Sequence, residues 1–257
     1  MATLRELNRH YQSVRTVGQI SGAMRSIATA DYSRLTGRYD TFSDYSRELS
    51  RLQRSVGSDT PLSRASDPDA PVLYVVLTAP RGLCGAYSSD LNSFVKELTD
   101  GETRSFEVKE VVFSNIPDAN GSDELESELE KSFSAGDYSE ITIVHQSFVN
   151  MMTQKPVCET LFPVKAEQTD GVSDTVLIPS EEAISLRLSQ LQIKACVYRA
   201  MLDAAISFSS ATMMAMHEAY DNAQESAGKI GLAISRKRQA EITASVIETA
   251  SGNEAEE

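Results

Sequence analysis

All eight prolines of this 257-residue chain fall between Pro61 and Pro179, so residues 1–60 and 180–257 contain none. A proline in a helix interior costs about 3 kcal/mol, and its confinement to the middle leaves both ends free to form uninterrupted helices. At the start, Thr3-Leu4-Arg5-Glu6 has the form of a capping box, with the Thr and Glu side chains placed to satisfy each other's backbone N–H. Leu4, Leu7, Tyr11, Val14, Val17, Ile20, Met24 and Ile27 then recur at steps of three or four, and Leu35, Tyr39, Phe42, Leu49, Leu52 and Val56 continue the stripe. A helix over 3–57 would be roughly 80 Å long at 1.5 Å per residue.

At the other end, Pro179 gives a stop, Ser180 an N-cap, and Glu181 and Glu182 place acids at the positive end of a helix. Ile184, Leu188, Leu191, Ala195, Tyr198, Leu202 and Ala205 alternate steps of four and three, and the phase continues through Met216, Ala219 and Ala223 to Ile230 and Ile234. Two long terminal helices with apolar seams predict an antiparallel coiled coil over 1–57 and 180–252. A helical bundle broken by loops is the alternative, and neither segment carries the Pro-Gly or Asn-Gly signals that such loops use.

The middle reads as a small Rossmann-like α/β domain over 70–170, inserted between the helices. Val72–Leu77 is a buried-strand run, followed by a turn at Arg81–Gly85 and a helix-compatible stretch over 88–99. Residues 107–113 and 122–133 repeat the strand–helix unit, with the second helix beginning at Ser122-Asp123-Glu124, and Ile141–Val144 gives a third strand. Residues 157–164, with Pro156 and Pro163 beside them, suit an edge strand of this mostly parallel sheet.

Composition narrows the function classes. No run approaches the roughly 18 apolar residues needed to cross a bilayer. The first residues, Met1-Ala2-Thr3-Leu4-Arg5-Glu6, carry charge where a secretory signal places an apolar run, which predicts a chain that is not exported. The net charge of −13 argues against nucleic-acid binding. That charge is uneven: residues 1–57 carry nine Arg and five acids, residues 58–179 eight bases and 21 acids, and residues 180–257 seven bases and 11 acids. The acidic middle reads as a solvated face, or as the balance of a protein soluble in high salt. Cys84, Cys158 and Cys196 form no C-x-x-C pair and read as reduced and mostly buried.

Catalytic and cofactor patterns are missing. In Arg81-Gly82-Leu83-Cys84-Gly85 the spacing Gly82-x-x-Gly85 lacks the third glycine of a dinucleotide loop, so Arg81, Gly82 and Gly85 are read as a structural turn. Gly228-Lys229 is followed by Ile230 rather than the Ser or Thr of a phosphate loop. His10, His145 and His217 fall in three separate elements without metal-ligand spacing, and no metal or cofactor is expected. Cys84 reads as a buried strand-end thiol rather than a nucleophile paired with His145. The acids over 124–130 read as solvated, and Met213, Met214 and Met216 as packing or partner-facing side chains.

Four patches resemble one family. Ile20-Ser21-Gly22-Ala23-Met24-Arg25-Ser26-Ile27-Ala28 is similar to the I-T-x-A-M-x-x-V-A of the gamma subunits of F-type ATP synthases, and Arg81–Gly85 matches their R-G-L-C-G turn. Phe148–Pro156 resembles their K-F-I-N-x-M-x-Q-x-P segment. In the last helix, Met213–Ala223 and Arg238-Gln239-Ala240-Glu241-Ile242-Thr243 resemble R-M-x-A-M-x-x-A-T-D-N-A and R-Q-A-x-I-T. Beyond Thr243 the chain departs: Ser245 replaces a Glu, and the apolar C-terminal tip becomes Asn253-Glu254-Ala255-Glu256-Glu257. Gln19, Gly22 and Asp31 stand where the family commonly has bases.

The resemblance implies a non-catalytic central-stalk rotor coupling ion translocation to ATP synthesis or hydrolysis, peripheral on the cytoplasmic face of the membrane. The implied partners are the alpha and beta subunits of the catalytic ring, the epsilon subunit and the c-ring. The implied ring-contact residues are Met24, Arg25, Arg236, Lys237, Arg238, Gln239, Ile242 and Thr243. The altered tip supports one rival, a coiled-coil scaffold derived from the same family; a second rival, a small-molecule enzyme built on the α/β domain, needs a catalytic pair that the sequence does not offer.

Overall fold

The computed structural model describes residues 3–56, 60–63, 67, 69–164 and 180–254. Eight principal elements follow in order: α1 (Leu4–Val56), β1 (Val72–Thr78), α2 (Tyr87–Gly101), β2 (Phe106–Val112), α3 (Ala119–Ala135), β3 (Glu140–Asn150), β4 (Thr153–Phe162) and α4 (Glu181–Glu254). The contacts divide into two compact units, one of residues 1–27 with 213–257 and one of residues 28–212. Pro179 and the tip residues Ala255–Glu257 lie outside the described residues.

The helix starts follow their capping chemistry. Thr3 N–H donates to Glu6 Oε2 at 2.7 Å and Glu6 N–H to Thr3 Oγ1 at 3.2 Å. Ser180 Oγ accepts from Ala183 N–H at 3.3 Å. Helix α3 begins one turn before Ser122, because the Asp118 carboxylate accepts from Gly121 N–H at 3.0 Å and caps it there.

In the unit of residues 28–212 the sheet has the order β2-β1-β3-β4. Strand β1 runs parallel to β2 and β3, and β4 is the antiparallel edge. Every residue of β1 from Val72 to Leu77 is buried, because its two faces meet different helices. Leu73, Val75 and Leu77 join Leu129 and Phe133 of α3 and Val197, Met201 and Phe208 of α4. Val72, Tyr74 and Val76 pack against Leu91 of α2.

Helix α4 is buried beyond its apolar seam. All ten residues over 201–210 are buried, including Asp203, Ser207, Ser209 and Ser210. The sheet side explains this: Tyr87 Oη donates to the Ala204 carbonyl (3.3 Å), Ser207 Oγ to the Gln146 carbonyl (3.1 Å) and Ser210 Oγ to the Met151 carbonyl (2.7 Å). Small side chains let the helix approach the strands, and their hydroxyls satisfy carbonyls the approach would otherwise strand.

Strand β3 runs six residues past Val144 and turns directly into β4, so the segment 148–156 is a hairpin. Asn150 Oδ1 accepts from Met152 N–H at 2.9 Å, and Gln154 Nε2 donates to the Asn150 and Met151 carbonyls at 3.3 Å. Those two amides hold the turn.

In the unit of terminal helices, an added Cβ at Gly18 would lie 3.3 Å from Ala223 Cβ, one at Gly22 3.3 Å from the Tyr220 ring, and one at Gly231 3.9 Å from the Tyr11 ring. As the position rises on α1 it falls on α4, so the segments run antiparallel. Leu4, Leu7, Tyr11 and Val14 are half-buried, and the stripe continues through Gly18 and Ser21, both buried. The expected continuation through Val17, Ile20 and Ile27 is corrected: these are 52%, 55% and 53% exposed. The inward positions lie one residue further along, which at 3.6 residues per turn is about 100° around the helix. There the seam is made of small residues.

Two smaller expectations also change. Cys158 is exposed on the edge strand, while Cys84 is buried and Cys196 half-buried. Within the acidic run of α3, Glu126 is buried and its carboxyl is raised above the usual range, first by burial and then by the charge of Glu130.

Candidate partner-contact surface

Val17, Ile20, Met24 and Ile27, at steps of three, four and three, form an outward stripe on α1, with Met24 half-buried. Arg25 beside it turns to α4: its Nη1 lies 3.0 Å from His217 Nδ1 and its guanidinium carbon 5.2 Å from the Tyr220 ring centroid. On α4, Ile230 and Ile234 are half-buried, as is Lys237, whose charge adds weakly to the Thr3 hydrogen bonds that hold Glu6 below the usual carboxylate range. Arg236, Arg238, Gln239 and Thr243 are exposed, and Ile242 is 56% exposed. Thr243 Oγ1 donates back to the Gln239 backbone carbonyl at 2.9 Å.

Sequence reasoning placed Met24, Ile242 and Thr243 in this set but missed Val17, Ile20 and Ile27, which it had assigned inward, and Leu232, Val246 and Ile247. The signal was present in the small residues Gly18, Ser21 and Gly22, which mark where the inward face runs.

The Arg81–Gly85 turn holds no such surface stripe. Leu83 (φ 66°) and Gly85 (φ 58°) are both left-handed, while Gly82 has open space around it. Cys84 points inward, its Sγ 3.9 Å from the Arg81 carbonyl and 3.7 Å from Ser88 Oγ, and the Arg81 guanidinium lies 5.6 Å over the Phe208 ring. His145 is buried with Nε2 3.8 Å from Asp203 Oδ2, far in sequence from either helix end. Among the described residues no three His, Cys, Asp or Glu side chains are grouped to hold a metal ion. No described helix is long and apolar enough to cross a membrane.

A sequence model of the family described as ATP synthase matches residues 3–255. The chain belongs to the ATP synthase gamma family. The gamma chain of Symbiobacterium thermophilum is 29% identical over 275 aligned residues, covering 96% of each chain. That of Flavobacterium johnsoniae is 28% identical, covering 99% of each. In fold, the chain is similar to one in the Euglena gracilis mitochondrial ATP synthase (OSCP/F1/c-ring, rotational state 3), with a TM-score of 0.70 at 15% identity, covering 98% of this chain and 94% of that one. A rotor chain of the same assembly gives 0.66 at 14% identity, covering 93% and 98%. As a gamma-family member the chain is a rotor subunit of an F-type ATP synthase, part of a membrane-associated complex, and ATP synthesis and ion transport follow from that membership.

Proposed function

We propose that the terminal helices form an antiparallel coiled coil turning within a ring of alternating alpha and beta subunits. In this reading the chain divides into a helix over 1–57, a Rossmann-like α/β domain over 70–170 and a helix over 180–252. The α/β domain sits against the epsilon subunit and the c-ring on the cytoplasmic face of the membrane. The shaft does no chemistry. It presents different side chains to each catalytic site as it turns, and these differential contacts shift the population of open and closed sites.

One observation carries the reading: every side chain from Arg238 to Thr249 is exposed, although the segment is continuous helix and includes Ile242, Val246 and Ile247. A helix whose apolar residues stay more than half exposed is built to be covered by something else. Met24, Arg25, Arg236, Lys237, Arg238, Gln239, Ile242 and Thr243 are the proposed contacts, with Arg238 and Gln239 foremost. The family's R-Q pair supplies a planar guanidinium and an amide, both suited to backbone carbonyls and carboxylates.

The test is ATPase activity of the chain assembled with alpha and beta subunits from the same organism, alongside Arg238→Ala and Gln239→Ala. Assembly with turnover that both substitutions lower supports the shaft reading. Assembly with unchanged turnover refutes these contacts, and failure to assemble favours a scaffold.

A further inference from the structure

The contact between Arg25 and His217 constrains the histidine. A guanidinium carries five N–H donors and no acceptor, so a hydrogen bond across the 3.0 Å between Arg25 Nη1 and Nδ1 requires a neutral ring with its proton on Nε2. The same Nδ1 lies 3.7 Å from Asp221 Oδ2, one turn further along α4. One nitrogen thus faces a donor on α1 and an acceptor on its own helix. Gly22 keeps the crossing tight, since a Cβ at position 22 would lie 3.3 Å from the Tyr220 ring that sits beneath the Arg25 guanidinium.

We propose that Arg25, His217 and Asp221 form a pH-responsive clamp between α1 and α4. With a neutral imidazole, Nδ1 accepts from Arg25 and ties the helices together. When a proton from solvent binds the Nδ1 lone pair, the acceptor is gone and two cations face each other, so the Arg25 bond breaks. The new Nδ1–H turns to the Asp221 carboxylate, which neutralises it within α4. No covalent bond changes other than the N–H formed. Arg25 from α1 and Asp221 from α4 are charged groups at the ring, and the Tyr220 ring lies under the Arg25 guanidinium. Histidine is the side chain whose charge ordinarily changes between about pH 5 and 8, so the crossing contains the residue type that responds in that range. The clamp is closed in alkaline and opened in mildly acidic solution.

The test uses the full chain. With 15N-labelled histidine at about pH 8, the ring shifts of His217, assigned from their loss in His217→Gln, should show Nε2 protonated and Nδ1 bare. Lowering the pH to about 5.5 should speed amide exchange over residues 21–27, corrected for intrinsic rates, by about threefold in the wild type. His217→Gln, whose amide oxygen accepts without titrating, should show no such rise. An Nδ1–H ring at alkaline pH overturns the proposal without any variant, and an equal response in His217→Gln overturns it independently.

Discussion

Gly18 on α1 and Gly228 on α4 are both helix-interior glycines of the terminal-helix unit, and replacing each with alanine should have opposite results. Alanine is favoured over glycine inside a helix by about 0.5–1 kcal/mol. At position 228 no atom lies within 4 Å of the added methyl, so the whole gain is realised. At position 18 the methyl would sit 3.3 Å from Ala223 Cβ, against about 3.5–4.0 Å for unstrained carbon contacts. Ala223 has no side-chain torsion by which its methyl can retreat, so the two backbones must separate by a few tenths of an ångström, loosening contacts above and below. Overpacking of this kind costs about 1–3 kcal/mol. The expected outcome is stabilisation by about 0.5–1 kcal/mol for Gly228→Ala, and a change between zero and about 2.5 kcal/mol of destabilisation for Gly18→Ala. Urea unfolding followed by far-UV circular dichroism measures both, and amide exchange over residues 14–25 assigns the change to this crossing. Equal stabilisation by the two substitutions would refute the close approach.

Two further outcomes follow from strain and burial. Leu83 holds a left-handed backbone at φ 66° with its side chain 60% exposed. That conformation costs an L-residue about 1–2 kcal/mol, so Leu83→Gly should raise the urea midpoint, whereas the β-branched Leu83→Val should lower it. Glu126, buried on α3, has its carboxyl raised above its unfolded value by burial and by Glu130. Its contribution is therefore full below the unfolded value and is lost as pH rises through the folded one. Glu126→Gln should accordingly stabilise the protein at neutral pH and lose that advantage near pH 4, as read from thermal midpoints across pH.

The strands and helices were legible where a single rule governed them. The apolar run Val72–Leu77 could only be a strand buried on both faces, and the Thr3–Glu6 box set the start of α1. The reading failed where polar or small residues did apolar work. It ended β3 at Val144, where the apolar run stops, yet His145 and Gln146 are buried, and Gln146 Nε2 donates to the Tyr87 carbonyl at 3.0 Å. It saw one seam on α4 because Ser207 and Ser210 do not register as hydrophobic, although both face the sheet. On α1 it followed Val17, Ile20 and Ile27 outward, since a periodicity search weighs a methyl group and gives no weight to the space a glycine leaves. The outward stripe was visible as letters and was assigned to the wrong side.

The enclosure of the middle of α4 also sets an order of assembly. The Tyr87–Ala204 hydrogen bond joins residues 117 positions apart, and the Arg25–His217 contact joins residues 192 apart. At a synthesis rate of about 5–20 residues per second, roughly 6–23 seconds separate the emergence of Tyr87 from that of Ala204. During that interval the sheet face that takes Phe208 has only Leu35 of α1 and Leu129 and Phe133 of α3 to cover it, and such distant contacts close slowly even once both partners exist. Until α4 arrives the core cluster stays incomplete on its Val197, Met201 and Phe208 side. The first helix to be made is among the last elements to be matched.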